Sequence, residues 1–365
     1  MFPASRYPQL SASAAQNSKT HDFFQAVCHA FSDAEQSIGQ TTDRYYTLGG
    51  LTVLLRFAGP ALIPIITPAF AHLATNPVSH PDLTICLWDT TSTGIRIPPL
   101  PWGEGQYLQF GLIDGFNSGR FKTLHQHALQ MIDLEENKAI YWIPDSREAP
   151  YYHSITPLRT TLHWWLDKHD LFVVHAAAVG TSERGVLVTG KGGAGKSTTA
   201  LSCIDHGLDY IGDENCLISI APEPYVHSLY SSGTLEAEDV GRFPSLDSSL
   251  CNANRLHVEK AVYHLFDRYQ QSLPGGIPIK AVFVPRVSGR PATSIQRRSS
   301  AQTLVALAPG SLFQLPGAGR NSFRAMADLL RAVPSYTLEI GTDLSQIPIA
   351  IKDFLRNRPC PTDNR

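Results

Sequence analysis

Residues 190–197 read GKGGAGKS, so that Gly190, Gly195, Lys196 and Ser197 complete the pattern GxxxxGK[ST]. Gly190, Gly192, Gly193 and Gly195, with Lys191 and Ala194 between them, let the backbone curl until successive N–H groups converge on one anion, an approach that side chains would obstruct. Lys196 has the reach to neutralise β- and γ-phosphates, the Ser197 hydroxyl suits Mg²⁺, and Thr198 carries the chain into the next element. The chemistry expected of these residues is the binding of a nucleoside triphosphate. A glycine-rich turn that merely joins a strand to a helix has no use for the GKS end. Three further side chains stand at telling distances. His175 lies 21 residues before Lys196, and the acidic pair Asp213 and Glu214 begins 17 residues after it. Carboxylates at a strand end beside a phosphate loop can complete a Mg²⁺ shell or take the proton of an attacking hydroxyl. His175 taken alone reads more readily as a hydrogen-bonded core histidine; the set gives it a role.

Such residues act only if secondary structure delivers them. The apolar run 186–189 predicts a strand feeding the loop, and 198 onward predicts the helix leaving it. Leu171 to Val174 predicts a strand ending at His175, and Tyr210 to Gly212 one running into Asp213 and Glu214. The stretch 156–169 has the spacing of an amphipathic helix that would open a catalytic domain, which puts a domain boundary near residue 150. Downstream, strands are predicted over 216–220, within 226–234, over 280–285 and over 336–340, with helices over 322–331 and 347–355.

The His175, loop and acid set resembles the HPr kinase/phosphorylase family, whose members carry a strand-end His, a GxxxxGKS loop and an Asp-Asp pair after a glycine-containing turn, here His206-Gly207. The resemblance is firm over 171–220, weaker over 221–350, and absent over 1–150. It implies an α/β fold with a phosphate-loop catalytic domain of the HPr kinase and PEP carboxykinase-like type, preceded by a mainly β, α+β N-terminal module. It implies His175, Lys196, Asp213 and Glu214 as the catalytic group and ATP with Mg²⁺ as cofactors. Ser197 and Asp213 would hold the ion, with one of Glu236, Glu238 and Asp239, taken as Glu236, matching the family's downstream Mg²⁺-binding Glu. Pro316-Gly317-Ala318-Gly319-Arg320-Asn321 is similar to the family's Pro-Gly-Arg-Asn stretch, which brings in Arg320. Two departures stand out. Thr198 replaces the family's Glu after the loop serine, and Glu214 replaces the second Asp. With no counterpart of the signature for the reverse phosphorolysis, a one-way kinase is implied. The whole chain is similar to the HPr-kinase-related proteins found beside peptide natural-product genes, including lasso-peptide precursor kinases.

Composition sets the frame. The 365 residues are 43% hydrophobic and 17% charged, which is globular and large enough for two domains. A net charge of −2 gives no electrostatic case for nucleic acid. Six cysteines without metal-finger spacing suit a reduced cytoplasmic protein, and the N-terminus lacks a signal-peptide core. The apolar run 57–73 holds three prolines and reads as a buried turning segment, not a membrane span. The expected organisation is a flexible arm over 1–20, a mainly β domain over 21–150 with a helix near 23–31 and strands near 51–56, 83–88, 107–113 and 139–143, the catalytic domain over 151–356, and a tail over 357–365. His125 and His127 form a weak HxH pattern, and Trp142, Tyr151, Tyr152, Trp164 and Trp165 read as packing aromatics. Arg286, Arg290, Arg297 and Arg298 are surface basics that could receive an acidic peptide or a phosphate.

The expected activity is ATP- and Mg²⁺-dependent phosphorylation of a hydroxyl, a serine of a peptide or protein, with a ribosomal precursor peptide as one such acceptor. Two readings stand beside it: a kinase for free serine or another metabolite, and a non-catalytic module gated by nucleotide. Homo-oligomerisation is compatible with the family resemblance.

Overall fold

The computed structural model describes residues 14–357. The expected arm lies outside this range up to residue 13. Residues 14–20 are helical and form the first turns of a helix in which Thr20 is already buried. The expected tail from residue 358, with Cys360, also lies outside. The described chain divides into two compact units. The division is not contiguous: 46–51 and 66–75 group with the residues from 151 onward. The reason is local packing. A Cβ on Gly49 would stand 2.9 Å from Leu171 and 3.1 Å from Leu217. The Ser231 N–H donates to the Ala69 carbonyl at 2.8 Å, and His72 Nε2 meets Ser228 Oγ at 2.6 Å.

The first unit opens with α1 (Ala14–Ile38), whose Phe24, Val27, Phe31 and Ala34 recur at helical spacing and join Trp88, Phe121 and Met131 in one core. Six strands, β1 (Thr41–Leu48), β2 (Leu51–Ala58), β3 (Leu83–Asp89), β4 (Phe121–His125), β5 (Leu129–Asp133) and β6 (Lys138–Ile143), form a mixed sheet in the order β1-β2-β3-β6-β5-β4. The strand expected over 107–113 is not formed. Phe110 and Gly111 are both left-handed, with φ of 63° and 77°, and two such residues in succession cannot continue a strand. A short 3₁₀ turn, Gln109–Gly111, takes its place, leaving two isolated bridges, Tyr107 with Ile113 and Leu112 with Leu124.

The second unit is a mixed nine-stranded sheet between two pairs of helices. Its elements are α2 (Arg159–Leu166), β7 (Phe172–Val174), β8 (Ala176–Thr181), β9 (Arg184–Thr189), α3 (Lys196–Asp205), β10 (Asp209–Gly212), β11 (Cys216–Ser219), β12 (Tyr225–His227), β13 (Ser232–Leu235), β14 (Ala261–His264), β15 (Gly276–Val287), β16 (Ser294–Arg298), α4 (Ser300–Phe313), α5 (Arg320–Ala332), β17 (Ser335–Ile340) and α6 (Gln346–Arg356). The order is β10-β8-β9-β15-β12-β11-β7, with β17 beside β15 and β16 beside β17; β13 and β14 form a separate ribbon. Alternation along the central strands separates the two faces. Val186, Val188 and Phe283 pack under α3 and α6 with Leu201, Ile204, Ile347 and Ile351. Leu187 and Val282 pack on the other side with Leu307 of α4 and Met326 and Leu329 of α5. Buried on both faces, β9 is an almost continuous apolar run.

The architecture is α/β. Of the arginines expected as surface basics, Arg286 in β15 pairs with Glu339, and Arg297 in β16 lies over the Tyr336 ring. No helix among the described residues is long and apolar enough to cross a membrane, and the five described cysteines are free.

Phe283, fully buried on β15, meets the rings of Tyr336 and Phe354 edge-on at 5.8 and 5.0 Å. Phe283→Ala should therefore lower the stability of this unit by about 3–5 kcal/mol. Urea unfolding followed by tryptophan fluorescence measures it, and a loss below about 1 kcal/mol would contradict this account of the core.

Candidate active site

Strand β9 ends at Thr189 and the glycine loop turns directly into α3. Gly193 and Gly195 take left-handed φ of 73° and 101°, and a Cβ on Gly195 would stand 2.6 Å from Ile340 Cδ1. Both conformation and space therefore require glycine at 195. Gly195 is also the N-cap of α3 and supplies no side chain to its free N–H groups. Within the loop the Ala194 N–H donates to the Lys191 carbonyl at 3.2 Å, and a Cβ on Gly190 would stand 3.3 Å from Ala194 Cβ. Lys191 itself is exposed. The Lys196 side chain is buried and folds back over the loop, its Nζ donating to the carbonyls of Gly190 at 3.0 Å and Lys191 at 3.3 Å. Burial lowers the Lys196 pKa, opposed by the nearby Asp213 and Glu214 carboxylates.

The loop opens onto a cleft of about 730 Å³. Gly192, Gly193, Gly195, Lys196, Ser197 and Thr198 line it together with His175 and Glu214, and residues 234–236, Asp239, Arg242, Lys260, Gln314 and 340–342 complete the lining. His175 belongs to neither β7 nor β8 but to the bend between them, where the chain passes from pairing with β11 to pairing with β9. Its Nδ1 lies 3.6 Å from Glu214 Oε2, too far for a hydrogen bond. Burial and then the Lys196 charge lower the His175 pKa, with the Glu214 carboxylate opposing them, so the ring is neutral at pH 7.

The acidic pair is split. Asp213 is fully buried, whereas Glu214 is half-buried and faces the cleft, where the Thr234 hydroxyl donates to its Oε1 at 3.2 Å. The split follows from the backbone. Glu214 has a φ of 62°, so successive side chains of the β10–β11 turn point to different sides of it. Asp213 Oδ1 accepts the Glu214 N–H at 2.9 Å, while Oδ2 is buried without a hydrogen-bond partner. Burial, and next the Glu214 charge, raise the Asp213 pKa to about 6 against the opposing pull of the Ser197 hydroxyl, the Glu214 N–H and Lys196.

The structure thus brings the glycine loop, Lys196, Ser197, Thr198, His175 and Glu214 to one cleft, with Asp213 beneath it. Two expected residues do not join them as expected. Arg320 is exposed and does not line the cleft. It opens α5, whose buried residues Ser322, Ala325, Met326 and Leu329 face the sheet, and position 320 falls on the opposite side of the helix. Glu236 does line the cleft, but its carboxylate is held by Lys260 Nζ at 2.7 Å. Among the described residues no group of three or more His, Cys, Asp or Glu converges on a point, so Glu236 does not complete a protein cage with Asp213 and Glu214. Thr234, Lys260 and Arg242 escaped the sequence reading because the 3₁₀ turns and short strands of 232–264 carry no periodicity or motif to point at them.

Among solved structures that match, the HPr(Ser) kinase/phosphatase from Coxiella burnetii is 14% identical with a TM-score of 0.27, covering 51% of this chain and 94% of that one. A TM-score of this size carries neither fold nor function across, so both are read from this chain's own residues. No family model matches the chain, and no curated protein matches it.

The Asp213 carboxyl titrates near 6 when folded against a reference of 3.8. Between these values the folded state binds the extra proton, so the stability this group contributes is fully present below about pH 4 and is lost as pH rises through about 6. Asp213→Asn should accordingly raise stability at pH 7 by about 1–3 kcal/mol and flatten the slope between pH 4 and 6. Thermal midpoints of both proteins at pH 4.5 and 7.5 decide it; a wild type and variant that differ equally at both values would rule out this titration.

Proposed function

We propose that this protein transfers the γ-phosphoryl group of ATP, with Mg²⁺, to the hydroxyl of a serine in a peptide or protein. The observation that carries the reading is the single cleft lined together by an uncapped helix N-terminus, Lys196, and the His175 and Glu214 pair. The bare N–H groups of the loop and of α3 bind phosphate oxygens, aided by the positive end of the helix. Lys196 exchanges its two carbonyl partners for the β- and γ-phosphates and neutralises the charge that develops during transfer.

Asp213 and Ser197 fit a divalent cation. Asp213 Oδ2 is a buried carboxylate oxygen with no hydrogen-bond partner, and the Ser197 hydroxyl lies beside that side chain. Magnesium, when bound, would neutralise phosphate charge and keep most of its shell as water and phosphate oxygen, which is why two protein ligands suffice. Glu214, in the cleft, accepts the acceptor's proton as the hydroxyl oxygen attacks the γ-phosphorus. The bond from that phosphorus to the bridging oxygen breaks and ADP leaves with its electron pair. His175, neutral and buried beside Glu214, orients that carboxylate. A peptide is favoured over a metabolite as acceptor because, of the two segments that could close the cleft, residues 234–242 line it whereas the 286–298 segment contributes only Val287.

Purified protein, Mg²⁺ and γ-labelled ATP should label short serine peptides. Lys196→Ala should cut transfer by about 10³-fold or more, and Glu214→Gln should abolish it while nucleotide still binds. Near-normal transfer by Lys196→Ala would sink the mechanism. Label on free serine but on no peptide would replace the acceptor, and tight ATP binding without label on any hydroxyl would leave a nucleotide-gated module.

A further inference from the structure

We infer that Gly310 and Ser311 of α4 are positioning residues that fix the His175 imidazole at the cleft, a role that rests on the phosphoryl-transfer reading above. The starting point is an anomaly in the helix itself. Its interior carries Pro309 followed by Gly310. Relative to alanine, these residues weaken a helix interior by about 3 and about 1 kcal/mol. The residues by which α4 packs on the sheet are others: Leu307, with Leu304, Ala308 and Leu312 beside it.

His175 explains the pair. A Cβ placed on Gly310 would lie 2.8 Å from His175 Cδ2 and 3.3 Å from both its Cβ and Cγ. The ring therefore rests against the bare backbone of α4, in space that only glycine leaves open. Nδ1 has no hydrogen-bond partner and the nearest carboxylate oxygen stands at 3.6 Å, so besides α4 the hydrogen-bonding group that acts on the ring is the Glu214 backbone. The backbone is held as well. His175 lies outside both flanking strands, and its N–H donates to Ser311 Oγ at 3.0 Å, while that hydroxyl donates in turn to the Leu307 carbonyl at 3.0 Å. Ser311 is fully buried, so the hydroxyl joins the β7–β8 bend to α4 without competition from water. Contact at 310 thus sets the ring and the hydrogen bond at 311 sets its backbone. The charged groups that act on the same ring are Lys196, Glu214 and Arg159, and a displaced imidazole would alter its relation to all three.

Gly310→Ala in the full-length protein is a sharp test because alanine is the better helix former, so loss of fold is not its expected effect. The His175 imidazole signal, assigned by its absence from His175→Ala, should shift in a ¹³C–¹H spectrum, and its titration midpoint should move. Transfer should fall by about 10²-fold, the cost of a displacement of about 1 Å, while nucleotide affinity changes less than about twofold. In a His175→Ala background, Gly310→Ala should cost nothing further, because both changes act on one group. Ser311→Ala adds no bulk, and should reduce transfer by about tenfold with the same dependence on His175; it serves alone if Gly310→Ala does not fold. Unchanged His175 signals in both variants, or an equal loss with and without His175, would overturn the inference. Should the wild type transfer nothing, the reading of the reaction fails, and the spectra still decide whether α4 positions the ring.

Discussion

The arrangement of this site depends on a helix beginning that is left unsatisfied. A helix has four N–H groups without intrahelical partners at its start, and a Ser, Thr, Asp or Asn cap that satisfies one of them is worth about 1 kcal/mol. The chain uses such caps elsewhere: Ser299 accepts the Gln302 N–H at the start of α4. At α3 it does not. Gly195 stands at the cap with no side-chain hydrogen bond, in a left-handed conformation and against Ile340, where no other residue fits without displacement. The donors of α3 are therefore left without a side-chain partner, at the end of a strand, β9, that is buried among its neighbours on both faces. Lys196 makes the same point from the opposite charge, since two backbone carbonyls are the partners it holds.

A second constraint decides what the acids can do. A regular turn after β10 would leave two adjacent carboxylates competing for one environment. The positive φ at Glu214, a conformation costing on the order of 1–2 kcal/mol for a non-glycine residue, divides them instead. Asp213 goes under the loop, where burial pushes it to about 6, and Glu214 goes to the cleft with Thr234 and His175 around it. Two residues adjacent in sequence thereby acquire different solvent, different partners and different chemistry.

How far this was legible in sequence follows from the range over which each feature is encoded. The loop, its flanking strand and helix, and the strand ends carrying His175 and Asp213 are local: turn residues and apolar runs specify them within a dozen positions. Arg320 lies outside the cleft for a reason its motif does not carry: the motif is local, and the burial of Ser322, Ala325 and Met326 is what puts position 320 on the outer face of α5. The strand expected over 107–113 failed at Phe110, whose left-handed φ no propensity scale anticipates. The helix α4 was invisible for the opposite reason. Pro309 and Gly310 argue against a helix by every local rule, and the advantage of having them there lies in a contact with a residue 135 positions away.

That last case joins the others into one physical argument. Lys196, His175 and Asp213 are each displaced toward their neutral forms, chiefly by burial. An uncapped helix, a strained Glu214 and a helix interrupted by proline and glycine surround them. Each departs from what stability alone would select, and natural chains tolerate such departures where a site needs them. A bound polyanion with its cation would reverse most of them together: it supplies acceptors to the bare N–H groups, a counter-charge to Lys196 and an ionised partner set for Asp213. The stability given up around this cleft is thus of the kind that ligand binding restores, since any species that binds only the folded state stabilises it by mass action.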